Sequence, residues 1–168
     1  MHATAEAFAE SLESLRSRVN QELDALIEHE LLNGAGEVAV EAGRVLRAGG
    51  KRLRPILFML AYRLAGGKDE DEAMPLALAF ELIHTATLVH DDINDEAEQR
   101  RCIPTIHTTS GQAKAVIAGD WLFVQGFGLG GRSSPKIAKF IPRSGAKPAI
   151  SDFRQRHPVP NLEPARRS

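Results

Sequence analysis

The 168-residue chain has one cysteine, Cys102, so it can form no internal disulfide and no cysteine-based zinc site. Aromatic residues make up only 5% against 43% hydrophobic residues. The core must therefore be built from Leu, Ala, Val and Ile, a composition that suits helices. No alternating strand pattern and no internal repeat is present. No unbroken apolar run reaches the length of a membrane span, and the acidic opening MHATAEAFAESLE is unlike a signal peptide, so a cytoplasmic protein without a transmembrane segment is expected. The Walker A spacing is absent as well.

The net charge of −1 conceals a division. Residues 1–131 hold 12 Lys/Arg against 20 Asp/Glu, a net −8, whereas residues 132–168 hold 9 against 2, a net +7. Six of the nine prolines also lie beyond residue 131. Proline breaks helices and removes backbone donors, and no apolar period longer than a turn or two persists there. The chain thus divides into a helical domain, 1–131, and a basic, Pro-rich, irregular tail, 132–168, expected to be disordered. The tail lacks the interleaved aromatics of a nucleic-acid surface, and no nucleic-acid partner is expected.

Within the first part, Phe8, Leu12, Leu15, Val19, Leu23, Leu26 and Ile27 recur at three- and four-residue spacing, predicting an amphipathic helix from about 4 to 31. A second helix is expected over 37–48, ended by Gly49 and Gly50. A third is opened by Pro55 and runs to the glycines at 66 and 67. After a charged loop at 68–72 comes a long fourth helix with Pro75 near its start. Pro104 breaks the next segment, and a fifth helix is expected from 111 to about 127.

Chemistry concentrates in residues 81–105, ELIHTATLVHDDINDEAEQRRCIPT. At about 100° per residue, His84, Asp91 and Asp95 fall within roughly 40° of one another on a helix, with Asp92 and Glu81 at the edge of the stripe. Carboxylates so close repel unless a cation sits among them. Mg²⁺ suits oxygen ligands and keeps coordination positions for substrate phosphate. The alternative is a solvated helix end with clustered acids. A second cluster, Lys51, Arg52 and Arg54, follows Gly49 and Gly50. Lys51 and Arg54 are three apart and can face one pocket while Arg52 points elsewhere. A point charge and a bidentate fork together suit phosphate. With Arg100 and Arg101 the chain offers two cationic clusters and one anionic cluster, as two anionic substrates would require. Alone, the basic segment also fits a helix cap, and His84 also fits a core histidine.

GGKRLRP (49–55), ELIHTATLVHDDINDEAEQRR (81–101) and PTIH (104–107) resemble the trans-isoprenyl diphosphate synthases, or polyprenyl synthetases, and AGDWL (118–122) is similar to the helix that follows in that family. The resemblance covers roughly residues 1–131. It implies the N-terminal portion of an all-α isoprenoid synthase bundle, usually a homodimer, that condenses isopentenyl diphosphate with an allylic diphosphate. By position, Asp91, Asp92 and Asp95 match the motif that binds the allylic diphosphate through Mg²⁺, with Asp91 and Asp95 as direct ligands. Arg100 matches the arginine on the allylic diphosphate. Lys51, Arg54, His84 and Arg101 match the isopentenyl diphosphate site. No nucleophile or base is implied. Small residues at Ala86 and Thr87 imply a product of geranylgeranyl length or longer.

Two departures stand out. Nothing after residue 131 resembles the family's second aspartate-rich motif; Asp152 is the sole aspartate there, and family members are longer. The tail's composition resembles a GC-rich frame read out of register, so a truncated or frameshifted product, or a fragment, is expected, inactive alone. Cys102 also stands where the family usually has glycine, a strained position if the backbone there has φ > 0. Two other readings remain open: a non-catalytic partner subunit of a full-length synthase, and a small helical interaction protein.

Overall fold

A computed structural model describes residues 2–133. Six helices follow in the order α1 (His2–Leu32), α2 (Gly36–Arg47), α3 (Leu53–Leu64), α4 (Glu70–Asn94), α5 (Ile106–Ser110) and α6 (Gln112–Ser133). Between α4 and α5 lies a small antiparallel hairpin, β1 (Gln99–Arg100) and β2 (Ile103–Pro104), in the register Gln99 to Pro104 and Arg100 to Ile103. The all-α expectation holds. The hairpin escapes sequence reading because two-residue strands carry no alternation. The region expected to form the basic tail lies, from residue 134 onward, outside the described residues.

The four-residue spacing of α1 buries Leu15, Val19, Leu23 and Ile27, each at 3% exposure or less. Each buried side chain of this size contributes about 1.5–3 kcal/mol relative to exposure. Phe8, expected on the same stripe, is 57% exposed instead.

Helix α4 is the axis of the bundle. It starts at Glu70, five residues before Pro75, because Asp69 caps it. The Asp69 carboxylate accepts from the backbone N–H groups of Asp71 (3.0 Å) and Glu72 (3.3 Å). Glu70, Asp71 and Glu72 then favour the positive end of the helix dipole. The residues expected to form a charged loop are thus its cap and first turn. Leu76, Ala77, Leu78, Ala79, Leu82, Ala86 and Val89 are all buried. By length and composition, α4 is the one described helix long and apolar enough to cross a membrane, a length that unbroken apolar runs do not reveal; 61% of its apolar stretch is buried inside the bundle.

Helix α6 packs on α4 through Ala115, Ala118, Gly119, Leu122, Gly126 and Gly130, all buried. A methyl group on Gly126 would stand 2.7 Å from Ile83 Cγ1 and 3.2 Å from the Ala79 carbonyl oxygen. The two helices can be this close only because that side chain is missing. Helix α6 continues to Ser133, past the expected end near residue 127, and two of its glycines, Gly119 and Gly126, are contact positions against His90, Ala79 and Ile83 of α4. The outer faces carry exposed apolar side chains, Leu53, Leu57 and Leu64 on α3 and Val116, Ile117, Val124 and Phe127 on α6.

Candidate diphosphate and metal site

The three aspartates sit where α4 ends. Asp95 is the C-cap, and its N–H donates to the Asp91 carbonyl oxygen at 2.8 Å, so Asp91 and Asp95 occupy successive turns of one face. Asp92 faces inward and is 5% exposed. Its Oδ1 accepts from Arg100 Nε at 2.6 Å, an ion pair that holds the guanidinium in place. Among the described residues no three His, Cys, Asp or Glu side chains form a metal cage. Mg²⁺ needs none: it is commonly held by one or two carboxylates, with substrate phosphate and water completing its shell. Asp91 and Asp95, a turn apart on one face, supply two such carboxylates.

The two cationic segments meet. Arg101 donates to the Gly49 carbonyl oxygen, and its guanidinium lies against Gly50. A Cβ on Gly50 would stand 2.9 Å from Arg101 Nη1 and would push the guanidinium aside, and Gly50 itself lies at φ 147°, which favours glycine. Arg44 of α2 holds the hairpin from behind, donating to the Pro104 carbonyl oxygen (2.7 Å) and to Thr109 Oγ1 (3.1 Å). Between Asp92, Arg100 and the apolar side chains of Val45, Leu88 and Ile103 lies a cavity of about 10 Å³, room for about one water molecule.

His84, on the same face of α4, is half-buried. Burial lowers its pKa, and the positive charge of Arg54 lowers it further; Glu81 opposes, and Arg101 and Arg100 add smaller effects in the same direction as Arg54. The imidazole is therefore neutral near pH 7, within the field of three arginines. Lys51 and Arg54 are exposed. Arg101 is itself held below the usual arginine pKa by burial and then by the charge of Arg52.

Arg52 belongs to the interior. It is 4% exposed and forms a buried ion pair with Glu81 at 2.7 Å. Removing one partner of such a pair costs about 3–5 kcal/mol. Glu81 thus leaves the acidic stripe. The sequence holds a signal for this pair: Glu81 is the one charged residue between 76 and 89, and a carboxylate in so apolar a helix needs a buried cation.

The hairpin turn is strained. Arg101 (φ 53°) and Cys102 (φ 64°) both lie in the left-handed region. A two-residue turn of this hand is ordinarily made by Asn-Gly or Asp-Gly. The condition set by the sequence, φ > 0 at Cys102, is met.

Comparison with known proteins gives one consistent result. A family described as "Polyprenyl synthetase" matches residues 38–144. A geranylgeranyl pyrophosphate synthase of Geoglobus acetivorans is 41% identical over 109 residues, covering 65% of this chain and 33% of the relative. A farnesyl diphosphate synthase of Bacillus subtilis (strain 168) is 48% identical over 86 residues, 50% of this chain and 29% of the relative. The crystal structure of a decaprenyl diphosphate synthase from Rhodobacter capsulatus superposes with a TM-score of 0.76 at 32% identity, covering 92% of this chain and 48% of that one. The chain spans about a third or less of the length of these curated relatives.

Proposed function

Since the chain belongs to the polyprenyl synthetase family, we propose that its site binds the diphosphates of isopentenyl diphosphate and of an allylic diphosphate, as part of a Mg²⁺-dependent prenyltransferase. One observation carries the reading: Arg101 of the hairpin bonds Gly49 of the basic loop, so both cationic segments converge on His84, on the helix that ends in Asp91 and Asp95. Lys51, Arg54, His84 and Arg101 hold the isopentenyl diphosphate. Arg100, braced by Asp92, meets the allylic diphosphate, and Asp91 and Asp95 hold Mg²⁺ against it.

The condensation breaks the allylic C–O bond and releases diphosphate. The isopentenyl double bond supplies the electron pair of the new C–C bond, and a proton is lost. Fixed cations aimed at the departing diphosphate stabilise the charge that builds on it. Bound Mg²⁺ would add Lewis-acid stabilisation of the same oxygens. Of the two small residues that point to a long product, Ala86 is buried in the core and Thr87 is exposed, and the proposal assigns Thr87 to the growing chain.

Calorimetry tests the proposal. With an allylic diphosphate as the ligand, binding should require Mg²⁺ and be lost in Asp91→Ala and Asp95→Ala; inorganic diphosphate, which also fits the cationic subsite, serves only as a reference. Equal affinity in Mg²⁺ and in EDTA would overturn it. Chain elongation by the 168-residue chain alone should be undetectable. The described residues supply one acidic cluster, and losing even one charge-stabilising group costs about 10²–10³ in rate.

The uncovered apolar faces favour association as a second reading. Val116, Ile117, Val124 and Phe127 on α6 fit a second copy of the chain or a full-length synthase, with the isolated chain as a subunit. Light scattering that reports a monomer would exclude it.

A further inference from the structure

Three cations stand within four residues, at Lys51, Arg52 and Arg54, yet only the middle one is buried. Arg52 is also where the chain turns from the extended glycine segment into α3, and it does so at φ 48°, ψ 34°. A long side chain in the left-handed region is uncommon and persists only where its surroundings hold it. Here they do. Arg52 Nε donates to Asn20 Oδ1 of α1 at 2.8 Å, Nη1 to Glu81 Oε1 of α4 at 2.7 Å, and Nη2 to the Leu46 carbonyl oxygen of α2 at 2.5 Å. One guanidinium thus joins three helices at the start of a fourth. Its own carbonyl oxygen accepts the Ile56 N–H at 3.1 Å, the first hydrogen bond of α3.

We infer that Arg52 is a positioning residue of the diphosphate site: its buried three-way anchorage fixes the left-handed turn that leaves its neighbours Lys51 and Arg54 exposed. Arg54 stands close enough to His84 for its charge to be felt there. Glu81, the ionic partner, lies three residues before His84, so both share one face of α4. The same ion pair therefore sets the register between the basic loop and the helix that carries the histidine and the aspartates. Arg52 does not touch the ligand, and its charge is already balanced by Glu81. What it supplies is geometry. A lysine could keep the charge and one contact, but it lacks the planar fork that reaches three acceptors in different directions.

The inference rests on the diphosphate-binding reading above, and the test separates the two. Three forms of the full chain are compared: wild type, Arg52→Lys, and the paired Arg52→Met/Glu81→Met. The paired variant replaces the ion pair with apolar side chains and leaves no buried charge alone, so it keeps the fold if the lysine variant does not. Isopentenyl diphosphate, the diphosphate assigned to Lys51 and Arg54, is titrated calorimetrically without Mg²⁺ at a temperature where circular dichroism shows each form fully folded. Amide exchange at Ile56 is followed by NMR. A purely structural role would lower the melting temperature and leave the affinity of the folded protein unchanged. A positioning role weakens diphosphate binding by ~10-fold or more in a folded variant, and Ile56 exchanges faster. A folded variant binding within about twofold of wild type overturns the inference while leaving the proposed function standing. Failure of the wild type to bind diphosphate overturns the proposed function, and this inference with it.

Discussion

Arg100 Nε stands 2.6 Å from Asp92 Oδ1, with the carboxylate buried and the guanidinium about one-third exposed. The second aspartate of the acidic motif therefore braces an arginine of the cationic pair. Asp92→Asn keeps the shape and one acceptor but removes the charge. Loss of this charge-assisted hydrogen bond should lower stability by about 1–3 kcal/mol, seen as a lower urea midpoint at unchanged m-value. It should also weaken diphosphate binding as Arg100 loses its aim. Unchanged midpoint and affinity would show that the pair contributes nothing.

Cys102→Gly should stabilise the protein. A non-glycine residue in the left-handed region costs about 1–2 kcal/mol, partly offset by the greater freedom of glycine in the unfolded chain. A net gain of about 0.5–1 kcal/mol is expected, against none for Cys102→Ala, which keeps a Cβ. Thermal unfolding of both variants checks it, and equal melting temperatures would contradict the strain.

Thr85 is 1% exposed, and its hydroxyl has no hydrogen-bond partner among the described residues. An unsatisfied buried hydroxyl costs about 1–3 kcal/mol. The near-isosteric Thr85→Val should therefore raise the urea midpoint by the equivalent of about 1 kcal/mol. A lower midpoint would mean that the hydroxyl is satisfied in solution.

His84 makes stability depend on pH in a defined direction. Its folded pKa lies below the ordinary value because of burial and the nearby arginines. As pH falls through the unfolded value of about 6.5, the unfolded chain takes the proton first, so stability declines until the lower folded pKa is passed. The stability difference between wild type and His84→Gln should shift toward the variant as pH is lowered from about 7.5 to about 5.5. Because the ring is half exposed the effect is modest. Diphosphate should raise the pKa of His84 by neutralising the arginine field, read from the imidazole proton shifts. A pKa unmoved by ligand would show that the anion binds elsewhere.

Much of the candidate site lies open in the sequence because it is local. Asp91 and Asp95 share a face simply by being four residues apart on a helix, and His84 joins them by the same period. Phe8 shows where periodicity stops: it keeps the spacing of α1, but it is left more than half exposed. The glycines of α6 mislead in the opposite sense. Their low helix propensity predicts an end near residue 127, yet Gly119 and Gly126 are where α6 lies against α4, and packing outweighs propensity.

By itself the sequence determined the helical class, the acidic stripe and the two basic clusters. Each follows from residue type and short spacing, which backbone geometry translates directly. Only the tertiary structure decided which charges remain for a ligand. Arg52 is spent on Glu81, 29 residues away, and Arg101 reaches Gly49, 52 residues away. Burial makes the first pairing obligatory, since a guanidinium in an apolar interior must find a carboxylate. No spacing along the chain encodes that partner; it exists only once α1, α2 and α4 have closed around it.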